Sequence, residues 1–263
     1  MRIQNNIAAL NSHRQYGINN GQIGKNVEKL SSGFRVNRAA DDAAGLAISE
    51  KMRTQIRGLN MASKNSQDGI SLVQTAEGAM QIAHNIMQRM RELAVQSRNG
   101  TNDTTVDRAA LDLEFKQLIQ EISQIESTVK FNDMEIFDKT FTIQSGANAG
   151  DITIFTVASL IPPDGNIATQ TAAAEAISAL TTAINSVSTN RAELGAIQNR
   201  LEFKIQNLDN SAENLQASES RIRDVDMAKM MTEFTKNNIL FQASTAMLAQ
   251  ANALPNGVLQ LLG

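Results

Sequence analysis

Apolar residues recur every seven positions late in the chain, at Leu180, Val187, Leu194, Leu201, Leu208, Leu215 and Ile222. A strict seven-residue row predicts one long helix over about 176–222 that needs partners along its whole length. The offset row, Ile177, Ile184, Arg191, Gln198, Ile205, Ala212 and Glu219, is half polar. The helix therefore reads as one member of a bundle whose partners come from earlier in the chain. Residues 42–98 supply a wide apolar stripe, with Leu72, Ala76, Ala79, Ala83, Ile86, Met90 and Leu93 in one row and Val73, Met80 and Met87 in another. A stripe this wide can face two neighbours at once. Asp41-Asp42 ahead of Ala43-Ala44-Gly45-Leu46 suits a helix N-cap better than a metal or acid–base site. Asn99-Gly100 suits the other end. At about 1.5 Å per residue this helix is roughly 80 Å long. A third helix follows from Leu111, Phe115, Leu118, Ile122, Ile125 and Val129, opened by Thr104-Thr105-Val106-Asp107, which is similar to a capping box. The short loop before it predicts antiparallel packing.

The period then changes. Phe141–Gln144 and Ile152–Val157 flank a glycine-bounded turn and predict one small β-hairpin over about 141–157. Ile161-Pro162-Pro163-Asp164-Gly165-Asn166 is a loop. The two ends of the chain carry weaker helical patterns. In residues 1–34 these are Ile3, Ile7 and Leu10, then Ile23, Val27, Leu30 and Phe34, separated by a glycine-containing middle and stopped at Ser31-Ser32-Gly33. In 223–254 they are Met227, Met231, Phe234, Phe241 and Leu248, before an interruption at Pro255-Asn256-Gly257. The expected fold is mainly α: an elongated antiparallel bundle of long, coiled-coil-like helices with one small β-hairpin and paired N- and C-terminal helices. The expected division is 1–41, 42–222 and 223–263.

Composition agrees with thin helical layers. The chain of 263 residues is 42% hydrophobic but only 4% aromatic, with no Trp and three Pro. Leu, Ile, Met and Ala can fill a narrow bundle where a rounded core of this size usually contains more rings. Cysteine is absent, which removes disulfides and thiolate chemistry. The start has no signal-peptide core, and no stretch is long and apolar enough to span a membrane. A net charge of −3 argues against general nucleic-acid binding. Charge is unevenly placed. Residues 1–40 carry six Lys/Arg against one Glu, and residues 237–263 carry no charged side chain. His13 and His84 lack partners at metal-ligand spacing, and no nucleophile–base set, zinc motif or phosphate loop can be assembled. No enzyme activity and no cofactor are expected. The polar row Asn85, Arg89, Glu92, Gln96 reads by itself as a solvated helix face with an i,i+3 ion pair.

The terminal segments are marginal alone. Full burial of a large apolar side chain is worth roughly 1.5–3 kcal/mol, whereas ordering each residue costs about 1–2 kcal/mol. Both ends are therefore expected to fold on association, with 42–222 already stable.

Four stretches resemble bacterial flagellin. They are Leu30–Ile48 (LSSGFRVNRAADDAAGLAI), Asp68–Ala79 (DGISLVQTAEGA), Gln144–Gly150 (QSGANAG) and Ala251–Leu262 (ANALPNGVLQLL). The last residue, Gly263, departs from the Arg often found there, and the large variable outer region of longer flagellins is replaced by the loop near 158–168. The resemblance implies a secreted subunit of the extracellular flagellar filament, a helical homo-polymer. The alternatives are a hook–filament junction protein of the same superfamily and, in a different class, a monomeric helical scaffold or adhesin. Partners implied are the flagellar export apparatus and its chaperone, the filament cap and the hook-junction proteins, without nucleic acid or membrane insertion. Subunit contacts in an inner tube fall on Ile3, Ile7, Leu10, Val27, Leu30 and Phe34 and on Met227, Met231, Phe234, Phe241 and Leu248. The resemblance also implies that Gln88, Arg89, Arg91, Glu92, Leu93 and Gln96, with Glu114, form the segment sensed by the vertebrate innate receptor for flagellin, Toll-like receptor 5.

Overall fold

The computed structural model describes residues 6–103 and 106–260, with 254–260 by their backbone alone. Ile3, Thr104 of the capping-box motif, and Gly263 lie outside the described residues. The elements in order are α1 (Ile7–Ser32), α2 (Ala43–Arg98), α3 (Asp107–Thr128), β1 (Lys130–Phe131), β2 (Met134–Glu135), β3 (Lys139–Gln144), β4 (Ile152–Val157), α4 (Gln170–Arg223) and α5 (Met227–Gln260). Two compact units divide the chain, one of residues 55–213 and one of residues up to Thr54 together with those from Asn214. The division falls inside α2 and α4.

In the 55–213 unit the seven-residue row of α4 is the spine. Leu180, Val187, Leu194, Leu201 and Leu208 are buried. The α2 stripe joins Leu180, Val187 and Leu194 in one core through Leu72, Val73, Met80, Met87, Met90 and Leu93, and α3 adds Phe115 and Ile122 to it. The polar offset row finds a use at Arg191, whose guanidinium pairs with Glu77 of α2 at 3.3 Å. A charged residue in a seam favours one register, because a shifted register leaves it unpaired.

The antiparallel β3–β4 pair runs from Lys139↔Val157 to Gln144↔Ile152, so β3 begins two residues before the expected Phe141. Strict alternation along β4 turns Thr153, Phe155 and Val157 inward. The tip rests on α2. Asn65 Nδ2 donates to Gln144 O at 3.3 Å. A Cβ on Gly58 would stand 3.0 Å from that of Ala147, so the missing side chain lets the turn approach the helix. A second hairpin, β1–β2, was not legible in the pattern. Its two-residue turn is Asn132-Asp133, with φ of 51° and 62°. Left-handed backbone at both turn positions is what a type I′ turn requires, and Asn and Asp tolerate it after glycine.

The loop after β4 is anchored at both ends by buried Leu160 and Ile167. Ile167 N donates to Asp112 Oδ1 at 2.8 Å, its carbonyl accepts from Ser97 Oγ, and Arg108 Nε donates to Ser97 O at 2.9 Å. Residues 161–166 between the anchors are half-buried or exposed.

In the other unit α1 is continuous through Gly17, Gly21 and Gly24, where the sequence suggests a weak middle. The helix closes at Gly33, left-handed with φ 75°, whose N–H returns to Lys29 O. At the head of α2, Asp42 Oδ1 accepts from Gly45 N at 2.8 Å, the geometry of an N-cap. The expected interruption at Pro255 is absent from the backbone: α5 stays helical to Gln260. A proline inside a helix deprives the carbonyl four residues earlier of its donor, here that of Ala251. Asn6 supplies the replacement, its Nδ2 donating to Ala251 O at 2.7 Å while its Oδ1 caps α1 by accepting from Ala9 N at 3.0 Å.

Candidate assembly and recognition surfaces

α1 and α5 lie side by side. The less exposed positions of α1 are Ala9, Ser12, Tyr16, Asn19, Ile23, Asn26 and Leu30, and those of α5 include Met230, Phe234, Phe241, Ser244, Leu248 and Ala251. Both rows step by three and four, the spacing of a coiled-coil seam. The Tyr16 and Phe241 rings stand 4.8 Å apart, and Asn19 Nδ2 donates to Ser244 Oγ at 2.8 Å. Asn26, only 6% exposed, leaves its Nδ2 without a partner. The sequence signal for this seam was the seven-residue spacing of Ser12, Asn19 and Asn26, which a search for apolar positions passes over.

The predicted contact set divides between two faces. Leu30, Phe34, Phe234, Phe241 and Leu248 are half-buried within the unit. Ile7, Leu10, Val27, Met227 and Met231 are exposed, joined by Ile18, Ile239, Leu240 and Met247. The helical pair thus has an apolar surface beyond the one it uses internally.

Between α1 and α2 the connector is closed by a polar clasp. Arg223 Nη1 bonds Glu50 Oε1 at 2.6 Å, and its guanidinium lies 4.7 Å from the centre of the Phe34 ring. The Arg223 carbonyl accepts from Arg35 N at 2.7 Å, and Val225 N donates to Gly33 O at 3.0 Å. Asp41 Oδ2 accepts from Arg38 N at 3.0 Å, and Glu28 Oε1 accepts from Asn37 Nδ2 and Arg38 Nε, both at 2.8 Å. These bonds hold three carboxyls below their ordinary range: Glu50 mainly through the Arg223 guanidinium, Asp41 through the Arg38 N–H, and Glu28 through Asn37 and then Arg38. The Arg223–Glu50, Arg35–Arg223 and Val225–Gly33 bonds of the clasp gave no signal at the level of pattern, because their partners come from opposite ends of the chain.

The row on α2 is a surface feature of the 55–213 unit. Gln88, Arg89, Arg91, Glu92 and Gln96 are exposed, and so is Glu114 on α3. Arg89 donates to Glu114 Oε1 through Nε at 3.0 Å and Nη2 at 2.9 Å, and through Nη1 to Glu92 Oε2 at 3.3 Å. Glu114 above all stabilises the charged guanidinium. Leu93 stands apart from this group: at 1% exposure it belongs to the core beneath the row. Beside the row a groove is lined by Gln88, Arg91, Glu92, Val95 and Gln96 of α2 and Thr181, Ile184 and Asn185 of α4. Among the described residues, no group of three or more His, Asp or Glu side chains is placed to hold a metal.

Comparison with known proteins gives these surfaces a setting. Residues 3–142 match the model of the bacterial flagellin N-terminal helical region, and residues 177–262 that of the C-terminal helical region. Over the full length of both chains the protein is 56% identical to a flagellin of Halalkalibacterium halodurans, 50% to a flagellin of Bacillus subtilis and 46% to a flagellar filament 33 kDa core protein of Treponema phagedenis. Among solved structures, Bacillus cereus flagellin aligns with a TM-score of 0.52 at 32% identity, covering 59% of this chain and 94% of that one. With both helical regions matched and relatives aligned end to end, the chain belongs to the bacterial flagellin family.

Proposed function

We propose that this protein is the structural subunit of an extracellular flagellar filament and works in motility by helical self-assembly, with no chemistry of its own. One observation carries the reading: the α1·α5 pair seals one seam internally and still exposes Ile7, Leu10, Ile18, Met231, Ile239, Leu240 and Met247. A surface of this kind is covered in the working state of a protein, and the uncharged 237–263 segment carries no charge whose burial would be costly. A head-to-tail contact that does not close into a ring builds a filament. Neighbouring copies supply the area that lets the terminal helices order, so these helices fold on assembly while the 55–213 unit is stable before it. A hook–filament junction role or a monomeric scaffold is disfavoured by full-length relatives described as flagellins and filament core proteins. The export apparatus and its chaperone, the filament cap and the hook-junction proteins are the remaining bacterial partners.

Sedimentation with electron microscopy tests the reading. The intact chain should pellet as long polymers, and a chain lacking 227–263 should stay in the supernatant with the 55–213 unit melting nearly unchanged. Strong hydrogen-exchange protection of 7–30 and 235–253 in the free monomer would refute folding on assembly. For Toll-like receptor 5, recognition falls on Gln88, Arg89, Arg91, Glu92, Gln96 and Glu114 in the monomer. Leu93 contributes from beneath by fixing the helix. Arg89→Asp places a carboxylate against Glu92 and Glu114 and should sharply weaken receptor activation. Unchanged signalling by the folded variant removes this assignment.

A further inference from the structure

The chain has eleven methionines and no cysteine. Methionine sulfur is therefore the softest nucleophile it offers an oxidant, with no thiol to react first. The structure sorts these residues sharply. Met80, Met87 and Met90 are fully enclosed in the 55–213 core. Met227, Met231 and Met247 are about half exposed on α5, at 49%, 48% and 62%. By helical geometry Met231 and Met247 point about 160° apart around the axis, so neighbours on either flank of α5 would meet a thioether.

We infer that Met227, Met231 and Met247 form an oxidation-sensitive face that couples polymerisation to the redox state of the surroundings. The inference rests on the proposed burial of α5 between copies. A peroxide or hypohalous acid is the co-reactant. With peroxide the sulfur lone pair attacks one oxygen, the O–O bond breaks, the departing hydroxide takes the proton of the transferred oxygen and leaves as water, and sulfur is oxidised by two electrons to the sulfoxide. With a hypohalous acid sulfur takes the halogen as hydroxide leaves, and water then displaces halide and loses its two protons to give the same sulfoxide. The product replaces a flexible apolar group by a polar one whose oxygen accepts hydrogen bonds that a dry contact cannot return. A free subunit is open to this reaction on all three residues. A subunit inside a polymer is shielded, so oxidant stops growth without dissolving what is already built. The enclosed Met80, Met87 and Met90 keep the oxidised subunit folded.

The test treats full-length monomer and preformed filament with hydrogen peroxide, maps sulfoxides by mass spectrometry and measures polymerisation by sedimentation. The monomer should gain sulfoxide at Met227, Met231 and Met247 but not at Met80, Met87 or Met90. Its critical concentration should rise by about tenfold or more, equivalent to roughly 1.4 kcal/mol of lost contact free energy. Treatment with methionine sulfoxide reductases should reverse the rise. M227L/M231L/M247L, a change that conserves volume, should resist the oxidant, and M61L/M134L, which removes two exposed methionines of the other unit, should not. Normal polymerisation of the oxidised monomer while the filament protects the three residues overturns the redox inference alone. Equal oxidation of α5 in monomer and filament overturns the burial of this face, and with it the assembly reading. Oxidation of Met80, Met87 or Met90 together with loss of helical signal would assign the effect to unfolding and refute the mechanism.

Discussion

Leu201 and Phe203 stand two residues apart on α4, and both are large and apolar. Leu201 is 0% exposed and Phe203 is 69% exposed. The structure predicts opposite outcomes for their replacement by alanine. Leu201 Cδ1 lies against the backbone of Gly69, 3.4 Å from where a Cβ would stand, with Ile143 of β3 on the same spot at 3.2 Å. A helix backbone and a strand residue cannot fold into the vacated space, so the cavity persists. Leu201→Ala should therefore fall in the upper part of the usual range, about 3–5 kcal/mol. For a unit of this size that is a fall in melting temperature of roughly 6–20 °C. Phe203→Ala removes a ring that is mostly in water and gains helix propensity, so the monomer should stay within about 0.5 kcal/mol of the parent. Circular dichroism melting and urea unfolding of the monomer measure both. A loss under about 1 kcal/mol for Leu201→Ala would refute the persistent cavity. Equal losses for the two variants would refute the orientation of α4.

Glycine position decides sign on α2. Gly78→Ala has nothing within 4 Å of the new Cβ and should stabilise by about 0.5–1 kcal/mol, whereas Gly58→Val drives methyls into Ala147 and should cost about 1–3 kcal/mol with loss of protection in the β3–β4 turn. A short Gly/Ser insertion between Asp164 and Gly165 falls between the buried anchors and should leave melting and assembly intact. Asp112→Ala removes the acceptor for Ile167 N and should destabilise by about 1–3 kcal/mol; hydrogen exchange of Ile167 reports it. The connector should be acid-sensitive. Glu28, Asp41 and Glu50 are held below their ordinary range in the folded state, so the unfolded chain binds more protons there. Their contribution is present above the ordinary carboxylate pKa and is lost as pH falls through the lower folded values. Glu50→Gln should reduce the difference in urea midpoint between about pH 7 and about pH 3, and an unchanged difference would count against the clasp.

The sequence by itself determined the long elements. A seven-residue row from Leu180 to Ile222 can bury one face only as a helix, and the wide stripe of α2 has room for two neighbours. The β3–β4 turn, the αL stop at Gly33 and the cap at Asp42 were legible for the same reason: each depends on residues within a few positions of one another. Tertiary structure decided whatever depends on which distant residue arrives. Pro255 marks a helix break locally, yet Asn6 supplies the donor for the freed carbonyl and α5 continues. Ile7 and Leu10 repeat at helical spacing, but α5 packs against the Tyr16, Asn19, Ile23 row and leaves them outside, because the Tyr16–Phe241 ring contact and the Asn19–Ser244 hydrogen bond select that face. Leu93 and Glu92 are adjacent in the proposed recognition segment, and only the packing of α2 makes one of them core and the other surface. The clasp around Arg223 joins residues nearly two hundred positions apart, where no local pattern reaches, since charge pairing in three dimensions is set by the fold and leaves no period in the chain.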